Sequence, residues 1–182
     1  MEQPAETLTR DQAVLRRYRS DDVDVLDRAI TESLDHLRPW MPWAATHSRA
    51  SVQEYLEQAQ RDWESGAAYN YAITTGGVLV GSCSLMRRIG PGGLEIGYWI
   101  HPGWTGRGLV TMAAAALTCQ AFELPGTTRV EIHHDQANRA SGAVPQRLGF
   151  TVVSRTPDAD SGGAPRVCVV QRIDRERAAA RR

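Results

Sequence analysis

LEIGYWIHPGWTGRGLVTMAAAALTCQAF, residues 94–122, changes character twice within 29 positions. Glu95 to Ile100 is rich in β-branched and aromatic residues and predicts a strand. His101-Pro102 ends it, and a glycine-rich loop follows. From Gly108 the period becomes helical, with Leu109, Met112, Ala113, Ala116, Leu117 and Gln120 on one face. A strand delivering a glycine loop to the start of a long helix presents unpaired N–H groups and the positive end of a helix dipole, a combination suited to phosphate. Gly106 and Gly108 permit a bulky pyrophosphate to approach the backbone, and Arg107 between them adds charge. Neither the GxxxxGK[ST] nor the GxGxxG nucleotide pattern is present.

Upstream, Val14-Leu15 reads as a short first strand. Asp21-Asp22 is placed to cap a helix running to about Leu37, with Val23, Leu26, Ile30, Leu34 and Leu37 on one stripe. Pro39 and Pro42 make a loop of the next stretch. Ser51, with Glu54 three residues on, predicts a capping box and a helix ending at Gly66. Tyr69–Thr74 and Val78–Met86 form a hairpin about Thr75-Gly76-Gly77, and Gly90 to Gly93 turns into the Glu95–Ile100 strand. Downstream come a strand at Arg129–His134, a helix at Asn138–Leu148, and strands at Thr151–Ser154 and Arg166–Ile173. Antiparallel hairpins followed by a strand–helix–strand crossover predict an α+β fold: one domain over residues 1–174, with a mixed sheet flanked by helices and a flexible tail over 175–182.

Composition narrows the function classes. At 182 residues, 42% hydrophobic and 23% charged, the chain suits one domain with its own core. Zero formal net charge argues against a nucleic-acid or anionic-membrane binder. No stretch approaches the ~20 apolar residues of a membrane helix. The opening MEQPAETLTRDQ lacks the basic lead and apolar core of a secretion signal, so a cytoplasmic protein is expected. Cys83, Cys119 and Cys168 are widely separated and form no metal-binding pattern, so no metal is expected.

Three stretches, HLRPWMPWA (36–44), EIGYWIHPGWTGRG (95–108) and NRASGAVPQRLGF (138–150), resemble the GNAT superfamily of acetyltransferases. Within it they are most similar to the bacterial ribosomal-protein N-terminal acetyltransferases of the RimJ/RimL type and their small-molecule-acetylating relatives. The superfamily's pyrophosphate pattern [QR]xxGx[GA] falls on Thr105 to Val110. Gly108 matches; Thr105 and Val110 depart, the latter with a side chain large enough to narrow the loop.

The resemblance implies a central sheet splayed in the middle, with the pantetheine arm of acetyl-CoA in the gap. Trp99 and Ile100 would then meet the pantetheine. Backbone N–H groups of Thr105, Gly106, Arg107, Gly108, Leu109, Val110 and Thr111 would hold the pyrophosphate. It also implies that Asn138 bonds the cosubstrate besides capping its helix, and that Ser141 faces the sulfur as the hydrogen bond to the departing thiolate. No Tyr lies between Asn138 and Phe150 to serve as the acid many relatives use. Pro145 removes the N–H that the Ser141 carbonyl would bond, predicting a kink.

Transfer by direct attack needs a base; the resemblance favours Glu95, because relatives often carry a carboxylate there, with a water chain as the alternative. Glu131, His133 and His134 lie on the neighbouring strand, with Glu131 and His133 sharing a face. Trp40 and Trp43, on the loop that flanks the acceptor in relatives, either cap the core or wall the acceptor groove. The implied activity is N-acetylation of a primary amine, whether a protein N-terminus or a small molecule such as an antibiotic or polyamine, by a monomer or homodimer. The alternative is a catalytically weak acyl-CoA-binding sensor or interaction module.

Overall fold

The structure is a computed structural model that describes residues 2–158 and 166–180. Eight strands form one sheet in the order β1-β2-β3-β4-β5-β6-β8-β7. They are β1 (Thr7–Arg10), β2 (Ala13–Arg17), β3 (Ala68–Thr75), β4 (Val78–Met86), β5 (Gly93–Ile100), β6 (Arg129–Asp135), β7 (Thr151–Asp158) and β8 (Arg166–Asp174). Only β5 and β6 run parallel, and they pair at just three positions, Gly93–Arg129, Leu94–Val130 and Glu95–Glu131. Beyond Glu95, β5 continues beside β4 to Ile100 while β6 continues beside β8 to Asp135. The expected splay is therefore present, and it leaves the β6-facing edge of residues 96–100 without a strand partner.

Helices cover both faces. On one, α1 (Val23–Thr31) and α3 (Arg49–Ser65) bury Leu26, Ala29, Ile30, Val52 and Leu56 against Ala72 and Leu79. On the other, α4 (Leu109–Glu123) packs against the sheet and against α5 (Arg139–Arg147). Its alanines at 113–116 are all buried. The helix thus hides far more than the stripe read from its period, because β1, β2, α5 and α6 (Arg175–Ala179) also contact it.

Four local expectations change. The first strand is a hairpin: β1 pairs with β2 through a turn in which Asp11 takes φ 50°, a conformation Asp tolerates. The helix expected over 21–37 breaks after Thr31, where the Ser33 hydroxyl donates to the Ala29 carbonyl at 2.6 Å; a short α2 (Leu34–Leu37) follows. Helix α3 begins three residues earlier than expected. Ser48 is its cap and Ser51 the reciprocal partner, each side-chain oxygen accepting the other's backbone N–H at 3.0–3.1 Å, so Glu54 has no part in the box. Finally, residues 175–179 of the expected tail form α6, and the Arg175 guanidinium donates to the Thr127 carbonyl at 2.7 and 3.2 Å.

Candidate active site

The splay opens into two clefts. The first, about 560 Å³, runs from Thr105, Gly106 and Gly108 along Leu109–Met112 to Ile100, Asn138, Ala140, Ser141 and Arg147. The second, about 860 Å³, lies on the α1/α3 side, between Tyr18, Tyr55, Asn70 and Ser84 at one end and Glu95, His133 and Asp135 at the other. Trp40, Met41, Tyr98, Trp99, Asn138 and Ser141 line both. The two clefts therefore meet at the open edge of β5 opposite the start of α5.

The first cleft has the features of an anion site. Gly106 and Gly108 adopt φ 74° and 75°. A Cβ at Gly108 would meet only the Met112 methyl, at 3.6 Å, so the surface there is backbone open to the cleft. The first bond of α4 runs from Met112 N–H to the Gly108 carbonyl at 2.9 Å. The N–H groups of Leu109, Val110 and Thr111 precede that ladder and face the cleft end of the helix dipole. The Thr105 hydroxyl is committed to the Pro102 carbonyl at 2.9 Å, so this residue offers backbone only. Arg107 turns aside: its guanidinium stacks on Trp104 at 4.4 Å and bonds the Gly103 carbonyl at 3.2 Å. Arg147, which the sequence reading passed over, lines the cleft instead.

At the junction, Asn138 caps α5, its Oδ1 accepting from Ser141 N–H at 3.1 Å. Tyr98 is the residue that sequence reasoning missed. Its phenol donates to the Ser141 carbonyl at 2.9 Å and accepts from the Ser141 hydroxyl at 3.3 Å. That carbonyl is the one Pro145 deprives of a helical partner, so a tyrosine 43 residues upstream replaces the missing donor. Burial pushes the Tyr98 phenol up to about 12, although the bond with Ser141 works against the shift, so the group stays neutral and keeps its proton. Strand alternation signals only that Tyr98 faces the α4 side; no local pattern pairs it with Ser141.

In the second cleft, Glu95 is buried and forked by Arg88, whose Nε donates to Oε2 at 2.8 Å and Nη2 to Oε1. His133 Nε2 lies 2.9 Å from Glu131 Oε2, while its Nδ1 lies 3.8 Å from Glu95 Oε2. Glu131 is also held by Arg172 at 2.7 and 2.9 Å. Burial would raise the Glu131 carboxyl, but the bonds from His133 and Arg172 outweigh it and hold the group below its usual range. His134 points the other way, into α5, with Nε2 3.0 Å from Gln171 Nε2. Trp43 is 41% exposed and sits 6.5 Å from Trp99, while Trp40 is half-buried. Neither indole is a closed core cap. Among the described residues no cluster of His, Cys, Asp and Glu is placed to hold a metal. No helix there is long and apolar enough to cross a membrane.

A splayed mixed sheet with a helix N-terminus aimed into the gap defines the acetyltransferase fold class, and comparison with known proteins agrees. Residues 12–151 match the acetyltransferase (GNAT) domain family. A putative ribosomal N-acetyltransferase, YdaF, of Bacillus subtilis (strain 168) is 31% identical over 150 residues, covering 79% of this chain and 80% of its own. The RimJ structure from Mycobacterium smegmatis in complex with CoA-disulfide superposes with a TM-score of 0.81 at 25% identity, covering 93% of this chain and 87% of that one. RimL, a ribosomal L7/L12 α-N-protein acetyltransferase in complex with coenzyme A, gives 0.86 at 21% identity, covering 93% and 98%. The chain belongs to the GNAT acetyltransferase family. It is an acetyl-CoA-dependent N-acetyltransferase.

Proposed function

We propose that the protein transfers the acetyl group of acetyl-CoA to the α-amine of a flexible polypeptide N-terminus. The observation that carries this reading is the meeting of two clefts at Tyr98, Trp99, Asn138 and Ser141. One cleft has the backbone donors for a pyrophosphate. The other is walled by aromatic rings and is large enough for the first residues of an extended chain. The open edge of β5 supplies backbone groups for the pantetheine amides and, near Trp99 or Ile100, an N–H for the developing oxyanion. The Ser141 hydroxyl, whose one proton is directed to the Tyr98 phenol at 3.3 Å, turns that proton to the departing thiolate. Trp40, which lines both clefts, and Trp43, which lines the second, wall the path of the amine.

Charge balance favours an N-terminus over a polyamine. Among the described residues the carboxylates lining the second cleft are Glu95 and Asp135, and each faces a guanidinium: Arg88 for the first, Arg166 at 3.7 Å for the second. A polycation would find no spare negative charge there, whereas a single ammonium on an uncharged peptide would need none beyond the group that deprotonates it. The ribosomal N-acetyltransferase relative points the same way.

Thiol release from acetyl-CoA, measured with short uncharged N-terminal peptides, polyamines and amine antibiotics, tests the assignment. Peptides are expected to be the better substrates by kcat/KM. Faster turnover of polyamines would overturn the acceptor class. Tight binding of acetyl-CoA with no turnover of any amine would replace it with the acyl-CoA-binding module.

A further inference from the structure

We infer that His133, oriented by Glu131, is the base that deprotonates the incoming ammonium, and that Glu95 serves as a fixed charge beside it. This rests on the amine-acetylating reading above and names the base for that site. Glu131 Oε1 is occupied by Arg172, with Arg129 Nε at 3.3 Å, which leaves Oε2 for His133 Nε2 at 2.9 Å. An ionised carboxylate only accepts hydrogen bonds, so Nε2 carries the proton and Nδ1 bears the lone pair. Nδ1 faces Glu95 across 3.8 Å, beyond hydrogen-bond distance. The His133 side chain is 28% exposed and lines the same cleft as Tyr98 and Ser141.

Both Glu95 oxygens are engaged by Arg88. The carboxylate stands 3.8 Å from His133 Nδ1, as a fixed charge beside it. The charged and titratable groups around the imidazole are therefore Glu95 with Arg88 from the β5 side, Glu131 with Arg172 and Arg129 from β6 and β8, and Asp135 with Arg166 farther along the cleft.

The step balances without a co-reactant. His133 Nδ1 accepts one proton from the ammonium. The freed nitrogen pair forms the C–N bond to the thioester carbonyl carbon, and the C–S pair leaves with sulfur. The attacking nitrogen sheds its second proton, which neutralises the thiolate, and the proton on His133 passes to solvent. Acetyl-CoA and an ammonium become an amide, coenzyme A thiol and one free proton.

The test uses the full chain with acetyl-CoA and an N-terminal peptide. His133→Gln keeps a donor for Glu131 but has no titrating nitrogen. It is expected to lower kcat/KM by a hundredfold or more, to abolish the acidic limb of the pH–rate profile, and to leave coenzyme A affinity unchanged. Glu95→Gln is expected to slow turnover yet retain that limb. If His133→Gln keeps the limb, or Glu95→Gln loses it, the base is not His133. Nitrogen-15 NMR of the imidazole in the wild type is an independent check that needs no turnover. The Nε2–H tautomer is expected, and the Nδ1–H tautomer would overturn the orientation by Glu131. Absence of turnover with every amine would instead sink the acceptor reading and the base with it.

Discussion

Replacing Tyr98 with phenylalanine removes one oxygen and leaves the ring in place, deleting the 2.9 Å bond to the Ser141 carbonyl together with the longer 3.3 Å bond from the Ser141 hydroxyl. A regular helix would supply that carbonyl with the N–H of residue 145, but residue 145 is proline. Leaving a buried acceptor unsatisfied costs about 1–3 kcal/mol. Here the pair is only part-buried beside a cleft that admits water, so the lower end, about 1 kcal/mol, is expected. For a domain of this size that lowers the melting temperature by about 2–4 °C. Urea unfolding should show a lower midpoint with an unchanged slope. The decisive comparison is the same substitution in a Pro145→Ala background, where an N–H is restored at the position that serves the carbonyl. The penalty for Tyr98→Phe should then largely disappear, a coupling of about 1 kcal/mol between residues that do not share an element. Equal penalties in the two backgrounds would mean that the phenol does not replace the missing helical donor. Ser141 also loses its acceptor in Tyr98→Phe, so turnover should fall while coenzyme A affinity holds.

Ser141→Ala should cost on the order of a hundredfold in turnover with acetyl-CoA affinity nearly intact, because its bond strengthens as charge develops on sulfur; loss of affinity without loss of turnover would make it a binding residue only. Gly108→Val places a β-branched residue at φ 75° and costs about 1–2 kcal/mol in folding. It should weaken coenzyme A binding by more than that, and calorimetry showing normal affinity would move the phosphate site elsewhere. Trp43→Ala removes a largely exposed ring from the amine's path and should raise the KM of the amine by about two- to thirtyfold, the range of one cation–π contact, without changing that of acetyl-CoA. Two-substrate kinetics decide it, and unmoved acceptor kinetics would put the groove elsewhere. Stability should fall on acidification. Burial opposes ionisation of Asp22, but the paired bonds from Arg16 at 2.7 Å and the Arg19 N–H hold its carboxyl below its usual range. A carboxyl depressed in the folded state stabilises above its unfolded value of about 4 and ceases to as pH drops through the folded one. Asp22→Asn should flatten the acid side of a melting-temperature profile, and an unchanged slope would assign the loss to other groups.

Much of the fold is legible locally. The turn at Gly76-Gly77, the strand–loop–helix run through Gly108 and the Asn138 cap are each encoded by residues within a few positions of one another. The order of most elements and the glycine loop that opens α4 could therefore be read from spacing alone. Strand β1 could not. Its four residues are mostly exposed and carry no apolar alternation, and pairing with β2 is what makes them a strand. Breaks such as the one at Ser33 depend on a side chain outcompeting the helix ladder, which periodicity does not register.

The site divides along the same line. Gly108 and Asn138 stand out in the sequence because backbone conformation and capping are short-range properties, whereas Ser141 is marked only by the family resemblance. The state of each ionisable or hydrogen-bonding side chain is set by whatever the fold brings against it. Arg88 engages Glu95 around a bend, Arg107 stacks on Trp104 and so turns from the cleft, and Arg172 on β8 anchors the carboxylate that orients His133 on β6. Tyr98 and Ser141, on a strand and a helix far apart in the chain, complete one another only because the sheet opens between β5 and β6. Residue types and spacing determine where backbone donors gather. Which carboxylate is neutralised, and which nitrogen is left with a free lone pair, depends on electrostatic contacts over 3–4 Å between segments that only tertiary packing brings together.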